Sequence, residues 1–420
     1  MTHRVGSLSA IEILDSRSRP TLAVSLALEG AAPVTAGVPS GASTGTREAV
    51  ELRDGDKGRY GGLGVTQAVG NVNGELAEAL LGRAFADLGE LDRVLIELDG
   101  TATKSRLGAN AIVGVSMAAA RAFAQAQGVP LWRYLTPAGV AARLPVPHFN
   151  VVNGGAHAAN NLDFQEFMIA PLGAPSLAEA VRAGAEIYAK LRALLAGAGH
   201  AVGLGDEGGF APRIDTPEDV LALLVHAIED AGYRPGRDGV AIALDPAASE
   251  FHRDGVYRVA GQELSSDEMI ERYARMVERF PVYSIEDGLA EDDWDGWSRL
   301  NARLGERVQL VGDDILVTNP AIVAEAIAKK VANAALIKVN QIGTVSETLE
   351  TMRLCREAGW AAMVSHRSGE TPDDFIADLA VGTGCGQLKT GAPARGERVA
   401  KYNRLITIEA DTPDLPYGLR

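Results

Sequence analysis

The sequence predicts a small α+β domain followed by an eight-stranded α/β barrel of ββαα(βα)6 order, and three observations carry that expectation. Six apolar stretches in the second half end on a residue able to bind a metal, move a proton or hold an anion. They are VAIALD at Asp245, VYSIED at Glu286, VQLVGDD at Asp313, AALIKVN at Lys338, AAMVSHRSGE at His366 and GQLKTG at Lys389. The tails are about 25 to 40 residues apart with helical pattern between them, the length of a strand-plus-helix unit. Before these units, NVVNGG and FQEFMIAP are joined by about ten residues, too few for the crossover a parallel pair needs, so they pair antiparallel. Two strands and six make eight, the number that closes a barrel. Finally, the N-terminal stretch alternates apolar and polar residues, as a half-buried antiparallel sheet does.

Taken in order, the first strand passes through Ile11 and Ile13, and the second turns Leu22, Val24, Leu26 and Leu28 inward. The run GANAIVGVSMAAARAFAQAQG reads as a helix stopped at Gly128-Val129-Pro130. Pro137, Pro145 and Pro147 in TPAGVAARLPVP suit a linker, which divides the chain into residues 1–135 and 144–420. Helical patterns near 176–196 and 217–232 precede the six units. Among the later helices, Ser265 with Glu268 and Thr344 with Glu347 have capping-box spacing, and Asn319-Pro320 offers an N-cap with proline at the first helical position. Met269, Ile270, Tyr273, Met276, Val277 and Phe280 recur at the 3.6-residue period and should face the barrel wall.

Composition narrows the function. A chain of 420 residues, 46% hydrophobic and 23% charged, can bury two cores and shows no sign of disorder. A net charge of -15 argues against nonspecific nucleic-acid binding, which runs on clustered Lys and Arg. Two cysteines, no signal-peptide pattern at the start and no apolar run of bilayer length point to the cytoplasm, without membrane insertion.

In a parallel barrel every strand ends on the face where enzymes gather their chemistry. Asp245, Glu286 and Asp313 would therefore stand side by side. A lone acid at a strand end is usually a cap, but three in consecutive units repel one another unless a cation lies between them. All-oxygen donors favour a hard ion, with Mg2+ the default beside a phosphorylated substrate. Lys338, near that cation and near Lys389, should have a lowered pKa and can take a proton from carbon, although a buried ion pair would equally explain it. His366, Arg367, Ser368 and Lys389 supply donors for phosphate or carboxylate. Glu166 and Glu207 stand apart; if both reach the mouth, one could stay protonated as a general acid. The loop PSGASTG lacks the form of a P-loop. Its glycines suit a mobile lid, in which Ser43 could supply an oxygen ligand.

Read together, PSGASTG, LRDGDK, GANAI, NGGAHA, QEFMIAP, GDEGGFAP, SIEDGL, GDDILVTN, KVNQIG, SHRSGE and KTGAPAR resemble the enolase family in order and nearly end to end. The resemblance implies an α+β lid domain, an enolase-type barrel and a cytoplasmic homo-oligomer. The implied activity is that of a hydro-lyase converting 2-phosphoglycerate to phosphoenolpyruvate in glycolysis, with two Mg2+ per active site, one of them arriving with substrate. Residue by residue, Asp245, Glu286 and Asp313 match the ligands of the first Mg2+, and Ser43 that of the second. Lys338 matches the base at C2, Glu207 supported by Glu166 the acid at the C3 hydroxyl, and His157 the loop histidine that closes over substrate. Arg367 and Ser368 match the phosphate ligands, while Gln165, His366 and Lys389 line the same pocket.

The chain departs from the family pattern at Ser18 and Arg19, Leu63, Thr103, Ala159, Pro372 and Gly396. These departures open a second reading, a paralogue similar to the carboxyphosphonoenolpyruvate synthase of phosphonate antibiotic biosynthesis, with the same base and metal site but a different electrophile. A third reading, a binding or scaffold protein, would leave Lys338 and the metal ligands free to be lost, and all are present.

Overall fold

The computed structural model describes residues 2–42 and 45–419. The N-terminal part is a four-stranded antiparallel sheet, β1 (His3–Leu14), β2 (Pro20–Leu28), β3 (Val34–Gly37) and β4 (Ala84–Phe85), in the order β3-β2-β1-β4. Leu22, Val24, Leu26 and Leu28 face the core as expected. The first strand differs: its buried face carries Val5, Leu8 and Ala10, and Ile11 is 63% exposed, because its register opposite Ala23 turns it to the outer side of the sheet. The helix Ala109–Ala126 lies on β2, close enough that Gly114 has no room for a side chain against Val24.

The barrel closes in the order β11-β12-β13-β14-β15-β5-β6-β7. Its strands are β5 (Val146–Asn153), β6 (Glu166–Ala170), β7 (Ala241–Asp245), β11 (Val282–Glu286), β12 (Gln309–Gly312), β13 (Ala334–Ile337), β14 (Ala361–Ser365) and β15 (Gln387–Lys389). A three-stranded antiparallel insert, β8 (His252–Arg253), β9 (Val256–Val259) and β10 (Gln262–Leu264), lengthens the first of the six units. As the short connection requires, β6 runs antiparallel to both neighbours, while the other pairings are parallel. This reversal matters for the site. It brings the first residue of β6, Glu166, opposite the last residue of β7, Asp245.

The helices start where their caps dictate. Ser265 and Glu268 form a reciprocal capping box, the Thr344 side chain accepts from the Glu347 N–H, and Asn319 caps the helix whose first residue is Pro320. In the helix Ser266–Arg279, Met269, Ile270, Tyr273 and Met276 are buried, and Val277 and Phe280 pack partly buried against the same core. The N-terminal part docks on the barrel through polar contacts: Arg121 with Asp373 and Asp374 at 2.6 and 3.0 Å, Lys104 with Glu347 at 3.0 Å, and Asp92 accepting from Ser346.

Candidate active site

Four of the strand ends that the sequence singles out, Asp245, Lys338, His366 and Lys389, line one small, tight cavity, and the other two, Glu286 and Asp313, lie behind it on Lys389 and Lys338. The lining takes in His157, Gln165, Glu166, Glu207, Asp245, Lys338, the run Ser365 to Ser368, and Lys389. Ser43 lies outside the described residues. A larger cavity, about 320 Å3, opens at the other end of the barrel around Gln309, Trp360 and Cys385, but carries neither carboxylate nor histidine.

Two lysines hold the candidate metal ligands. The Lys389 ammonium donates to Glu286, Asp245 and Glu166 at 2.6, 3.2 and 3.3 Å. Lys338 donates to Asp313, whose other oxygen accepts from Gln341 at 2.8 Å. Burial and the neighbouring Asp245 push Glu286 well above the usual carboxylate range. Burial pulls Lys338 down, but Asp313 and Glu286 together hold it above the ordinary lysine value; the lowered value expected of it belongs to a site with a cation beside it.

The residues fit a hard cation. Asp245 and Glu286 converge on one ammonium, and Glu286 Oε2 is a buried oxygen without a hydrogen-bond partner, an atom that metal coordination would satisfy. Among the described residues, two groups bring ligand atoms within 4.8 Å of one another, His157, Glu166 and Glu207, and Asp287, Asp313 and Asp314; the expected trio of Asp245, Glu286 and Asp313 is not one of them, since Asp245 and Glu286 meet at Lys389 while Asp313 is held by Lys338. Asp287 escaped the sequence reading. Its carboxylate accepts the N–H groups of Asp313 and Asp314 at 2.9 and 3.0 Å and so orients the end of β12. The acidic doublets IED and GDD are the signal that marks it.

Glu166 and Glu207 bring carboxylate oxygens within 4.8 Å of one another yet ionise differently. Burial and the charge of Glu207 raise Glu166 well above its usual value. Burial also opposes ionisation of Glu207, but His366 and His157 outweigh it and Glu207 is held well below. The tautomer of His366 follows from its partner. Arg398 donates to Nδ1 at 2.7 Å, so the ring proton sits on Nε2, 3.3 Å from Glu207. Burial holds His366 down at about 3, leaving it neutral. Asn150 donates to the same Glu207 oxygen at 2.9 Å. His157 Nδ1 stands 3.6 Å from Glu207 and 3.7 Å from Glu166.

The anion side is built from both halves of the chain. Arg367 is gripped by Glu48 and also donates to Asn340 at 3.1 Å. Arg17, from the N-terminal sheet, donates to the Ser368 hydroxyl at 3.1 Å and to the Gly41 carbonyl at 3.0 Å. Arg398 is fully buried and binds the carbonyls of Arg367 and Ser368, both at 2.6 Å, which fixes the SHRS loop. Neither Arg17 nor Arg398 stands out in the sequence, because Arg17 acts on a segment 351 residues further on and Arg398 acts on backbone carbonyls 30 and 31 residues back. An arrangement with a lysine, an acid pair, an acidic cation site and an arginine-serine anion site suits proton abstraction beside a carboxylate in a phosphorylated substrate.

Comparison with known proteins returns the same family for both halves. The family model described as Enolase, N-terminal domain matches residues 5–135, and that described as Enolase, C-terminal TIM barrel domain matches residues 141–415. The chain is 59% identical over 400 residues to a protein named Enolase from Rubrobacter xylanophilus, covering 95% of this chain and 93% of that one. It is 55% identical over 414 residues to Enolase 1 of Methylococcus capsulatus, covering 98% of each.

Proposed function

The chain belongs to the enolase family, and from that premise we infer that it is a hydro-lyase catalysing the reversible dehydration of 2-phosphoglycerate to phosphoenolpyruvate. The observation that carries this reading is the convergence of Lys338, the Glu166–Glu207 pair, and Arg367 with Ser368 on one small cavity.

We assign Asp245, Glu286 and Asp313 to one Mg2+ and Ser43 to a second that arrives with substrate. When bound, Mg2+ would supply positive charge against the substrate carboxylate. A lysine base working beside Mg2+ is the general pattern of the enolase superfamily, and the residues of this chain follow it. Lys338, which lines the cavity just past the end of β13, takes the C2 proton. Once substrate is bound, the proton carried by Glu166 passes to Glu207, whose oxygen lies within 4.8 Å, and from Glu207, held by Asn150 and His366, to the departing C3 hydroxyl. His157 closes over the substrate beside the pair, Arg367 and Ser368 receive the phosphate, and Gln165, His366 and Lys389 complete the wall.

We propose residues 1–135 as the lid domain and 144–420 as the catalytic domain, acting in cytoplasmic glycolysis as a homo-oligomer. The outward-facing Ile11, Leu14, Tyr60 and Leu63 support the last point, since they offer apolar surface that a second copy would cover. Among the described residues no helix is long and apolar enough to cross a membrane. None of Ser18, Arg19, Leu63, Thr103, Ala159, Pro372 and Gly396 lines the cavity, so no specific observation favours the phosphonate-pathway paralogue.

The test is to mix the protein with Mg2+ and 2-phosphoglycerate and follow the ultraviolet absorbance of the enol phosphate. Rapid phosphoenolpyruvate formation is expected, and its absence with the metal bound would reject the assignment.

A further inference from the structure

We propose that Glu48 is a positioning residue for the substrate phosphate: it fixes the plane of the Arg367 guanidinium and ties that arginine to the N-terminal loop. The proposal rests on the reading of Arg367 as a phosphate ligand given above. The contact is a two-point clamp, with Arg367 Nη1 donating to Glu48 Oε2 at 2.9 Å and Nη2 to Oε1 at 3.1 Å. Both side chains are nearly inaccessible, 3% and 9% exposed. A guanidinium buried without counter-charge is costly, and a fork held along one edge loses its rotational freedom. The arginine is therefore both compensated and aimed before any substrate arrives.

The same carboxylate does more than neutralise. Glu48 Oε1 also accepts from the Gly45 N–H at 3.1 Å and from Gln341 Nε2 at 3.2 Å. Gln341 cannot flip, since Thr318 donates to its carbonyl oxygen at 2.7 Å, and its amide nitrogen also donates to Asp313 at 2.8 Å. Two further contacts pin the loop: Ala49 N–H to the Gln341 carbonyl at 2.8 Å, and Asn340 Nδ2 to the Pro39 carbonyl at 3.1 Å. One carboxylate thus joins the N-terminal loop, the phosphate arginine after β14 and, through Gln341, the acid after β12. Substrate affinity should depend on it more than the chemical step does.

Glu48→Gln keeps the size but puts an amide donor against the guanidinium. It should raise KM for 2-phosphoglycerate about tenfold or more while changing kcat by less than about threefold, the pattern of lost binding rather than lost chemistry. Glu48→Asp retains the charge and should recover most of that loss; it also serves as the test variant if the glutamine variant does not fold. The decisive readout is coupling. In an Arg367→Ala background, 2-phosphoglycerate affinity measured by calorimetry with Mg2+ should not fall further on adding Glu48→Gln. An unchanged KM, or an equal loss without Arg367, overturns the proposal. A wild-type protein inactive on 2-phosphoglycerate would instead reject the function itself.

Discussion

Lys338 is buried and ion-paired with Asp313, so removing its side chain deletes a base and a counter-ion together. Lys338→Ala should lower turnover by about 10^3-fold or more yet leave Mg2+ binding in place, because the Asp313 oxygen is released rather than lost. Steady-state phosphoenolpyruvate formation and calorimetric Mg2+ titration separate the two, and retained turnover would remove Lys338 from the role of base. Ser18 tells a different story. It stands where the family motif has glycine, in a turn held by the Asp15 carboxylate, which accepts from the N–H groups of Arg17 and Arg19 at 2.8 and 2.9 Å. Its φ is +60, a left-handed conformation that costs a residue bearing Cβ about 1 kcal/mol, partly offset by the extra freedom glycine gives the unfolded chain. Ser18→Gly should therefore stabilise by about 0.5 kcal/mol in urea denaturation, and a lower midpoint would contradict the strain argument.

The helix Leu88–Asp99 carries a fully buried carboxylate, Asp92, to the seam with the helix Val345–Glu357. It accepts the Ser346 N–H and hydroxyl at 2.9 and 2.6 Å, while Oδ1 has no partner. Burial outweighs the Ser346 hydrogen bonds and, with Glu347 nearby, raises its pKa to about 6. The folded state then holds a proton that the unfolded chain gives up near pH 4, so this group's contribution to stability falls as pH rises from about 4 to about 6, by at most about 3 kcal/mol. Asp92→Asn cannot ionise, and its stability relative to wild type should climb across that window; parallel urea curves at pH 4.5 and 7 would refute the argument by showing no change. The flanking elements show why most of the fold is legible in the sequence. Caps such as Ser265 with Glu268, the short connection before β6 and the six strand tails are local signals. The outward turn of Ile11 is not local, because alternation gives a strand's period and only pairing with β2 decides which face is buried.

Assembly of the whole molecule explains both what the site contains and which parts were hidden. Residues at strand ends could be read from the sequence because barrel topology sends them to one face whatever else happens. Glu48, Gln341 and Arg17 could not, because their contacts join the N-terminal sheet and loop to the barrel, and Arg398 could not, because it acts on the backbone of the SHRS loop from a separate helix. Closure of the barrel leaves the proposed metal ligands provided with positive charge from within the chain: Lys389 on Asp245 and Glu286, Lys338 on Asp313. Unpaired, three buried carboxylates would destabilise the barrel mouth by several kcal/mol. With two internal ammonium groups beside them, the metal-free protein has no such penalty to relieve by unfolding. Chelation should consequently abolish turnover while circular dichroism stays native, and Mg2+ should restore activity without a refolding lag. Mg2+ should still raise the melting temperature, because a ligand that binds only the folded state adds about 2.7 kcal/mol at a hundred times its Kd. Replacing Lys389 by Met removes the internal counter-charge, and that variant should melt well below wild type in chelator and recover part of the difference as Mg2+ is added. Equal melting of the two proteins in chelator would show that the lysine does not compensate the carboxylates.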